Sequence, residues 1–495
     1  MFRSGSSAWW RSDTASPALF HRPYWKGDGG LRQLLIISFP LVMSNVSAVV
    51  NMFFDRYFLA SYDVQYHMTA SLSGGVVWWA LIQLITGIVS YGSTFVAQYH
   101  GAERGDRIGA AVWQSIYAAI LGGVVVLLTV PLWQPLFDLV HDQDAKLAAL
   151  EATYCQALSF GGVFLVLSIA LSNFYTGLGR TLIVLLVTST GNVANIFFNK
   201  WLIFNPPEWL PFIEPGISGA AWGTSFAWCF AALIYMVFVF APKNQRGFRI
   251  WSAWRFDFPM FRRLFRYGLP QSMHLFIDVL SFSVFVLMVG RIDLEALTAT
   301  NAAFTINLMI FAPLIGFGQG LTILVGRFIG AKRVDRAERS TSTAFIVALV
   351  VMSVFIFMYY FTPDVFIRLF LREDNPSVTP KVLELSRLYL KVVALYSLFD
   401  VFAIIYSSAL KGAGDTKIIF QISLFCGMGL LLVPSLVITN MGGDALHLWF
   451  AALAYIIAFG TSMLLRYRAG YWREMSVIEH DLVAEVEAEE SQEAS

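Results

Sequence analysis

Asp278 and Asp400 each stand inside a long apolar run of this chain. An ionisable side chain at membrane depth is costly and marks a functional site by default. Asp278 lies 12 residues beyond Arg266, about 18 Å along a helix at 1.5 Å per residue. Asp400 lies 11 residues before Lys411, about 16 Å from the same edge. Two carboxylates from different helices therefore share a depth near the middle of the membrane. A pair of acids removed from water suits a proton, and acids with oxygen neighbours suit a small cation. The bland alternative is that each acid simply ties one helix to the next by hydrogen bonding. His274 precedes Asp278 by one helical turn and Tyr396 precedes Asp400 by one turn, so both are candidate supporting residues.

A second polar set lies in the first half of the chain. Asp55 follows Pro40 by 15 residues and Asp278 follows Pro270 by 8. The difference of seven is two helical turns, so both acids fall on nearly the same face of equivalent helices. Asn195 and Asn199, at i and i+4, stack on one helix face with Asn192 nearby. Asparagines alone also serve as interhelical glue, so this set reads either as a site or as packing.

The elements that hold these residues follow from composition. Hydrophobic residues are 57% of the chain and charged residues 14%, against roughly 45–50% and 25% in soluble proteins. The net charge of +1 gives no electrostatic footprint for nucleic acid. Spans are expected near 33–59, 71–99, 107–132, 150–176, 181–204, 216–241, 264–290, 296–327, 338–362, 382–411, 416–438 and 444–467. The expected fold is an all-α polytopic membrane protein with twelve transmembrane helices. Lys and Arg gather at 242–266, 327–339 and 466–473, while 205–215 and 439–443 have none. That bias places both termini in the cytoplasm, and the expected location is the cell inner membrane. The loop at 363–381 is an exception, with its bases balanced by Asp364, Glu373 and Asp374. Cys155, Cys229 and Cys426 are far apart and suggest neither a disulfide framework nor a metal site.

The chain repeats itself. Gly101-Ala102-x-Arg104-x-Asp106-Arg107 recurs as Gly330-Ala331-x-Arg333-x-Asp335-Arg336, and Gly177-x-Gly179-x-Thr181 recurs as Gly412-x-Gly414-x-Thr416. With Pro40 and Pro270, the three signatures have offsets of 229, 235 and 230. Six helices per repeat is an even number, so the halves run parallel about an axis along the membrane normal, with a cleft between two pseudo-symmetric six-helix lobes. The expected division is an N-terminal tail at 1–30, a first lobe at 31–241, a linker at 242–263, a second lobe at 264–468 and an acidic tail at 469–495. The stretch from Glu474 to Ser495 has eight acids and no Lys or Arg and reads as solvated.

No phosphate-binding G-x-x-x-x-G-K-[ST] motif and no G-x-S-x-G elbow occurs, so neither ATP-driven work nor an enzyme is expected, and no cofactor. Most of the aromatics belong to lipid-facing belts. Trp78, Phe304 and Phe311 are the candidates for stacking on a flat cationic ligand between the lobes.

From about residue 31 to 468 the chain resembles the multidrug and toxic-compound extrusion (MATE) family, in its NorM-like branch. The resemblance rests on Phe39-Pro40-Leu41 with Asp55, the Gly101-Ala102 loop, Tyr175-x-Gly177-x-Gly179-Arg180-Thr181 and Asn195-x-x-x-Asn199. It continues through Gly216-x-x-Gly219-Ala220-Ala221-x-Gly223-Thr224, Pro270 with Asp278, and Asp400 leading to Leu410-Lys411-Gly412-x-Gly414-Asp415-Thr416. It implies export of bulky, often cationic organic compounds in exchange for Na+ or H+ by alternating access, with lipid and small organic substrates as partners and a monomer as the working unit. It assigns the coupling cation to Asp278 and Asp400, and the first-lobe site to Asp55, Asn195 and Asn199. Two positions depart from the pattern. Position 278 is Asp where Glu is common, so its carboxylate reaches one methylene less far. Arg56 follows Asp55 where a small or hydroxyl residue is usual, and either pairs with that acid or snorkels outward. The other function within the same superfamily is a flippase for lipid-linked saccharides or other amphiphiles, whose cavity would be lined with bases; Lys200 and Lys391 are the main ones inside these spans.

Overall fold

A backbone in lipid must satisfy its own hydrogen bonds, so apolar runs of this length form helices. The computed structural model describes residues 27–140, 144–370 and 379–479. Twelve helices in it are long and apolar enough to cross a membrane: α1 (Leu31–Tyr62), α2 (Val64–Gly101), α3 (Gly105–Val140), α4 (Ala145–Gly177), α5 (Thr181–Phe204), α6 (Ile217–Val239), α7 (Phe258–Ile292), α8 (Leu294–Gly330), α9 (Val334–Phe361), α10 (Pro380–Ala413), α11 (Thr416–Asn440) and α12 (Ala445–Arg468). At 23 to 38 residues they span about 35–57 Å, more than the roughly 30 Å hydrocarbon core, so they tilt or project into water. No strand occurs among the described residues.

Helices α1–α6 pack into one lobe and α7–α12 into the other. The repeated motifs fold alike. Gly179 and Gly414 both sit at positive φ, +72° and +116°, where the chain turns between helices. Glu103 and Lys332, 229 residues apart, also share a left-handed backbone, at φ +60° and +56°. A non-glycine residue in that region is strained by about 1 kcal/mol or more. Its presence twice, at one offset, is the internal repeat expressed in backbone geometry.

The first and last described residues lie at one end of the bundle, here called the terminal end. Asp28 pairs with Arg336 in the first turn of α9, and the chain beyond α12 reaches the end of α2 and the start of α7. The lobes are joined at this end and as far as mid-helix. Tyr91 Oη donates to the carbonyl of Lys411 at 2.9 Å and Gln98 Nε2 to that of Gly412 at 2.9 Å. Gln271 donates to Ser90 at 3.3 Å, Ser38 to Phe317 O at 3.5 Å and Asn45 to Ala312 O at 3.3 Å. Close approach here depends on glycine: a Cβ on Gly101 would stand 1.9 Å from Arg327 O, and one on Gly330 2.0 Å from Gln98 O. Among the described residues no hydrogen bond crosses between the lobes in the opposite, far half. Among the described residues, then, hydrogen bonds join the lobes toward the terminal end and not toward the far end.

The segment between the lobes is packed rather than loose. Pro242–Phe248 forms a short helix, Trp113 on α3 donates to Ile250 O at 2.7 Å, and Asp257 caps α7 through the Met260 N–H at 3.0 Å. At the far end, Lys381 of the exceptional loop lies 2.7 Å from Asp293 and 2.9 Å from Glu295, and Arg387 of α10 lies 2.7 Å from that loop's Asp364.

One expectation needs correction. The stretch after Glu474 is not solvated at its beginning, because Val477 is buried and Glu479 pairs with two arginines. Its acidity concealed an apolar anchor and two waiting cations. Residues 1–26 and 480–495, most of the expected tails, lie outside the described residues.

Candidate functional site

In the second lobe, Asp278 and Asp400 project from α7 and α10 into the lobe interior. Asp278 Oδ1 accepts from Tyr455 Oη on α12 at 2.7 Å and from Ser423 Oγ on α11 at 3.0 Å. Ser423 sits just before a π-helical stretch, Gly427–Leu432, whose first residue packs against Ile277 and Ser281 on α7. Such wide turns recur at functional sites because they re-aim the side chains beside them. Asp400 is buried, with 7% of its surface exposed, and accepts no hydrogen bond among the described residues. The Tyr455 hydroxyl is close enough to both acids to feel their charges. One carboxylate is thus held by two hydroxyls, while the other stands with its lone pairs open.

The two supporting candidates separate. His274 is buried, its Nδ1 3.6 Å from Asp278 Oδ2, and its ring stacks on Phe459 with centroids 5.5 Å apart. Tyr396 is buried, accepts from Asn307 Nδ2 at 3.5 Å and lies within the field of Asp400.

In the first lobe, Asn199 Nδ2 on α5 donates to Asp55 Oδ1 on α1 at 2.6 Å and to Asn195 Oδ1 at 3.1 Å. Asn195 Nδ2 continues to Thr224 Oγ1 on α6 at 3.0 Å. The run joins three helices. Gly223 makes it possible, since a Cβ there would stand 2.1 Å from Asn199 Oδ1. That oxygen and Asn51 Oδ1, one turn before Asp55, are buried without a partner among the described residues. An acid beside acceptor oxygens that lack donors is suited to a proton or small cation. Arg56 is exposed and near enough to Asp55 and Tyr154 to interact through charge, without closing an ion pair on Asp55.

Sequence reasoning missed Ser423, Tyr455 and Thr224, single hydroxyls in apolar runs that gain meaning only from their neighbours. It also missed Glu151 on α4, fully buried and hydrogen-bonded by Ser73 of α2. Its signal was present, an acid within an apolar stretch, but the expected helix began at 150, whereas α4 begins at Ala145 and takes Glu151 into its second turn. Trp78 corrects another expectation. Rather than facing the cleft, it is buried inside the first lobe, donates to Ser159 Oγ at 3.2 Å and stacks on Trp228 at 5.5 Å. Phe304 packs within the second lobe against Phe282, Phe285 and Trp449.

Known proteins share this architecture. Residues 40–201 and 270–437 match the MatE family, one stretch in each lobe. A probable multidrug resistance protein NorM of Thermotoga maritima is 25% identical over 467 residues, covering 92% of this chain and 96% of that protein. The multidrug resistance protein MdtK of Cronobacter sakazakii is 26% identical over 410 residues, covering 82% and 86%. Among solved structures, an outward-facing conformation of a multidrug resistance MATE family transporter of the MOP superfamily superposes with a TM-score of 0.79 at 16% identity, covering 92% of this chain and 98% of that one. With two-thirds of its residues inside the family's match and its repeated lobes carrying one stretch each, the chain belongs to the MatE family.

Proposed function

We propose that this protein is a secondary active efflux transporter, which exports bulky, often cationic organic compounds in exchange for Na+ or H+. The observation that carries the reading is the seam. Among the described residues the hydrogen bonds between the lobes lie in their terminal halves, while each lobe holds acids in its interior. A molecule with one closed end and one unjoined end is one of the two states that alternating access requires. The multidrug resistance names of the relatives above support the same reading. The terminal end, where Lys and Arg concentrate, is the cytoplasmic one, so the state described is outward-facing, in the cell inner membrane.

The coupling follows from charge. An ionised acid inside a low-dielectric lobe is costly, and a bound cation removes much of that cost. Asp400, open and buried, supplies free lone pairs, and Asp278 is kept in place by Tyr455 and Ser423. Filling the site changes the relative free energy of the two lobe arrangements, and linkage requires that the arrangement change the cation's affinity equally. Asp55, Asn195 and Asn199 form the second polar site. A base-lined flippase cavity gains no support from Lys391, which is exposed and lies over the ring of Tyr360 at 5.8 Å.

The test is purified protein in liposomes with a lipophilic cationic dye at equal concentration inside and outside. An imposed Na+ or H+ gradient, the cation high on the side that takes up dye, should drive dye movement against its own gradient. Dye movement that ignores both gradients would overturn the reading.

A further inference from the structure

Directly after α12 the chain reverses at Gly470, φ +78°, the left-handed turn with which glycine ends helices. It then runs back under the terminal end. Trp472 is buried, stacks on Tyr467 at 4.9 Å and donates to Tyr467 O at 3.0 Å. Arg473 pairs with Glu338 on α9. To this point the segment belongs to the second lobe.

Beyond it, the segment crosses the seam. Gln98 Oε1, near the end of α2, accepts from the Val477 N–H at 2.9 Å and from Ser476 Oγ at 3.1 Å. Tyr267 Oη on α7 donates to Ser476 O at 3.4 Å. Val477 is buried, its Cγ1 3.0 Å from where a Cβ on Gly414 would stand. Glu479 Oε1 takes Arg107 of α3 at 3.0 Å and also Arg263 of α7, while Oε2 accepts from Tyr99 Oη of α2 at 2.7 Å. A single carboxylate thus bridges an arginine of each lobe.

Resting on the alternating-access reading above, we infer that residues 471–479 are a latch: they dock across the terminal ends of both lobes, hold that end shut, and must leave the Arg107–Arg263–Tyr99 pocket before the cleft can open toward it. Arg107 is also held by Asp257, the cap of α7, at 3.2 Å, so one ion pair already crosses the seam. Glu479 adds a second anion, placed between the two arginines, and the occupied pocket therefore favours the closed end more than the empty one does. Charge-assisted bonds to both lobes cannot survive a rigid-body rotation of one lobe against the other.

Interlobe distance tests it. Spin labels on Asp106→Cys and Asp335→Cys, exposed and at equivalent places in the two repeats, report the terminal end in nanodiscs, with Cys155, Cys229 and Cys426 changed to Ala. The otherwise unaltered chain should show one dominant short distance. Glu479→Gln, and separately a chain ending at Glu474, should enrich a longer population about tenfold, equivalent to about 1.4 kcal/mol. Glu479→Asp should keep the short distance. Distance distributions of Glu479→Gln and of the shortened chain that superimpose on the parent would overturn the latch. These distances decide the matter whether or not the parent chain moves dye, and absent dye movement counts against the transport reading alone.

Discussion

The Tyr455 hydroxyl lies 2.7 Å from Oδ1 of Asp278 while remaining within the field of Asp400. One phenol on α12 thereby holds the acid of α7. A hydrogen bond to a charged group contributes about 1.5–3 kcal/mol, so its removal should be felt in cation use. Tyr455→Phe should lower gradient-driven efflux about tenfold or more, with little change in the amount of folded protein. Measuring efflux against gradient size checks this; a variant with the parent's dependence would show that the tyrosine only packs.

Asp55 and Arg56 are neighbours in sequence with separate surroundings. The acid meets Asn199 at 2.6 Å, and successive helical residues diverge by about 100°. Asp55→Asn should lose most efflux and Arg56→Ala should keep most of it. Equal losses in the two single variants, repaired in the double variant, would show a structural ion pair instead.

Orientation has its own check. Glu208 lies between α5 and α6 at the far end and Ser252 between the lobes at the terminal end, both exposed. Glu208→Cys should react with an impermeant thiol reagent added to intact cells, and Ser252→Cys should react only after lysis. The reverse pattern would invert the assigned topology.

The latch should not respond to pH within the ordinary range. Burial pushes the Glu479 carboxyl up, but the bonds from Arg263 and Tyr99 outweigh it and hold it down at about 2. A carboxyl lowered on docking contributes stability that is complete above its free value of about 4.3 and is lost only as pH falls toward 2. The difference in interlobe distance between the parent and Glu479→Gln should therefore stay constant between about pH 5 and pH 8. A transition within that window would mean another group controls the segment.

How much the sequence discloses depends on whether a signal is local. Twelve spans are legible because lipid demands long apolar runs, and the halves are legible because three motifs recur at offsets of 229 to 235. Asn199 meeting Asp55 is foreshadowed by spacing, since i and i+4 asparagines must share a face. Tyr455 and Ser423 are not, because their significance depends on how α11 and α12 wrap around α7. Trp78 misleads for the same reason: an aromatic in a span does not reveal which face its helix turns inward. The docked stretch at 471–479 is hidden by composition, as eight acids after position 473 suggest solvent, while Val477 and Glu479 find partners some 370 residues away or more in the chain.

The central claim is that the second-lobe acids exchange a cation for the exported compound. The most direct measurement is dye movement in proteoliposomes under imposed Na+ or H+ gradients for the parent, Asp278→Asn and Asp400→Asn, with protein content and thermal unfolding matched. The parent should move dye against its gradient, and each neutral variant should lose at least about tenfold in rate while remaining folded. Parent-like rates with unchanged ion dependence in both variants would contradict the claim.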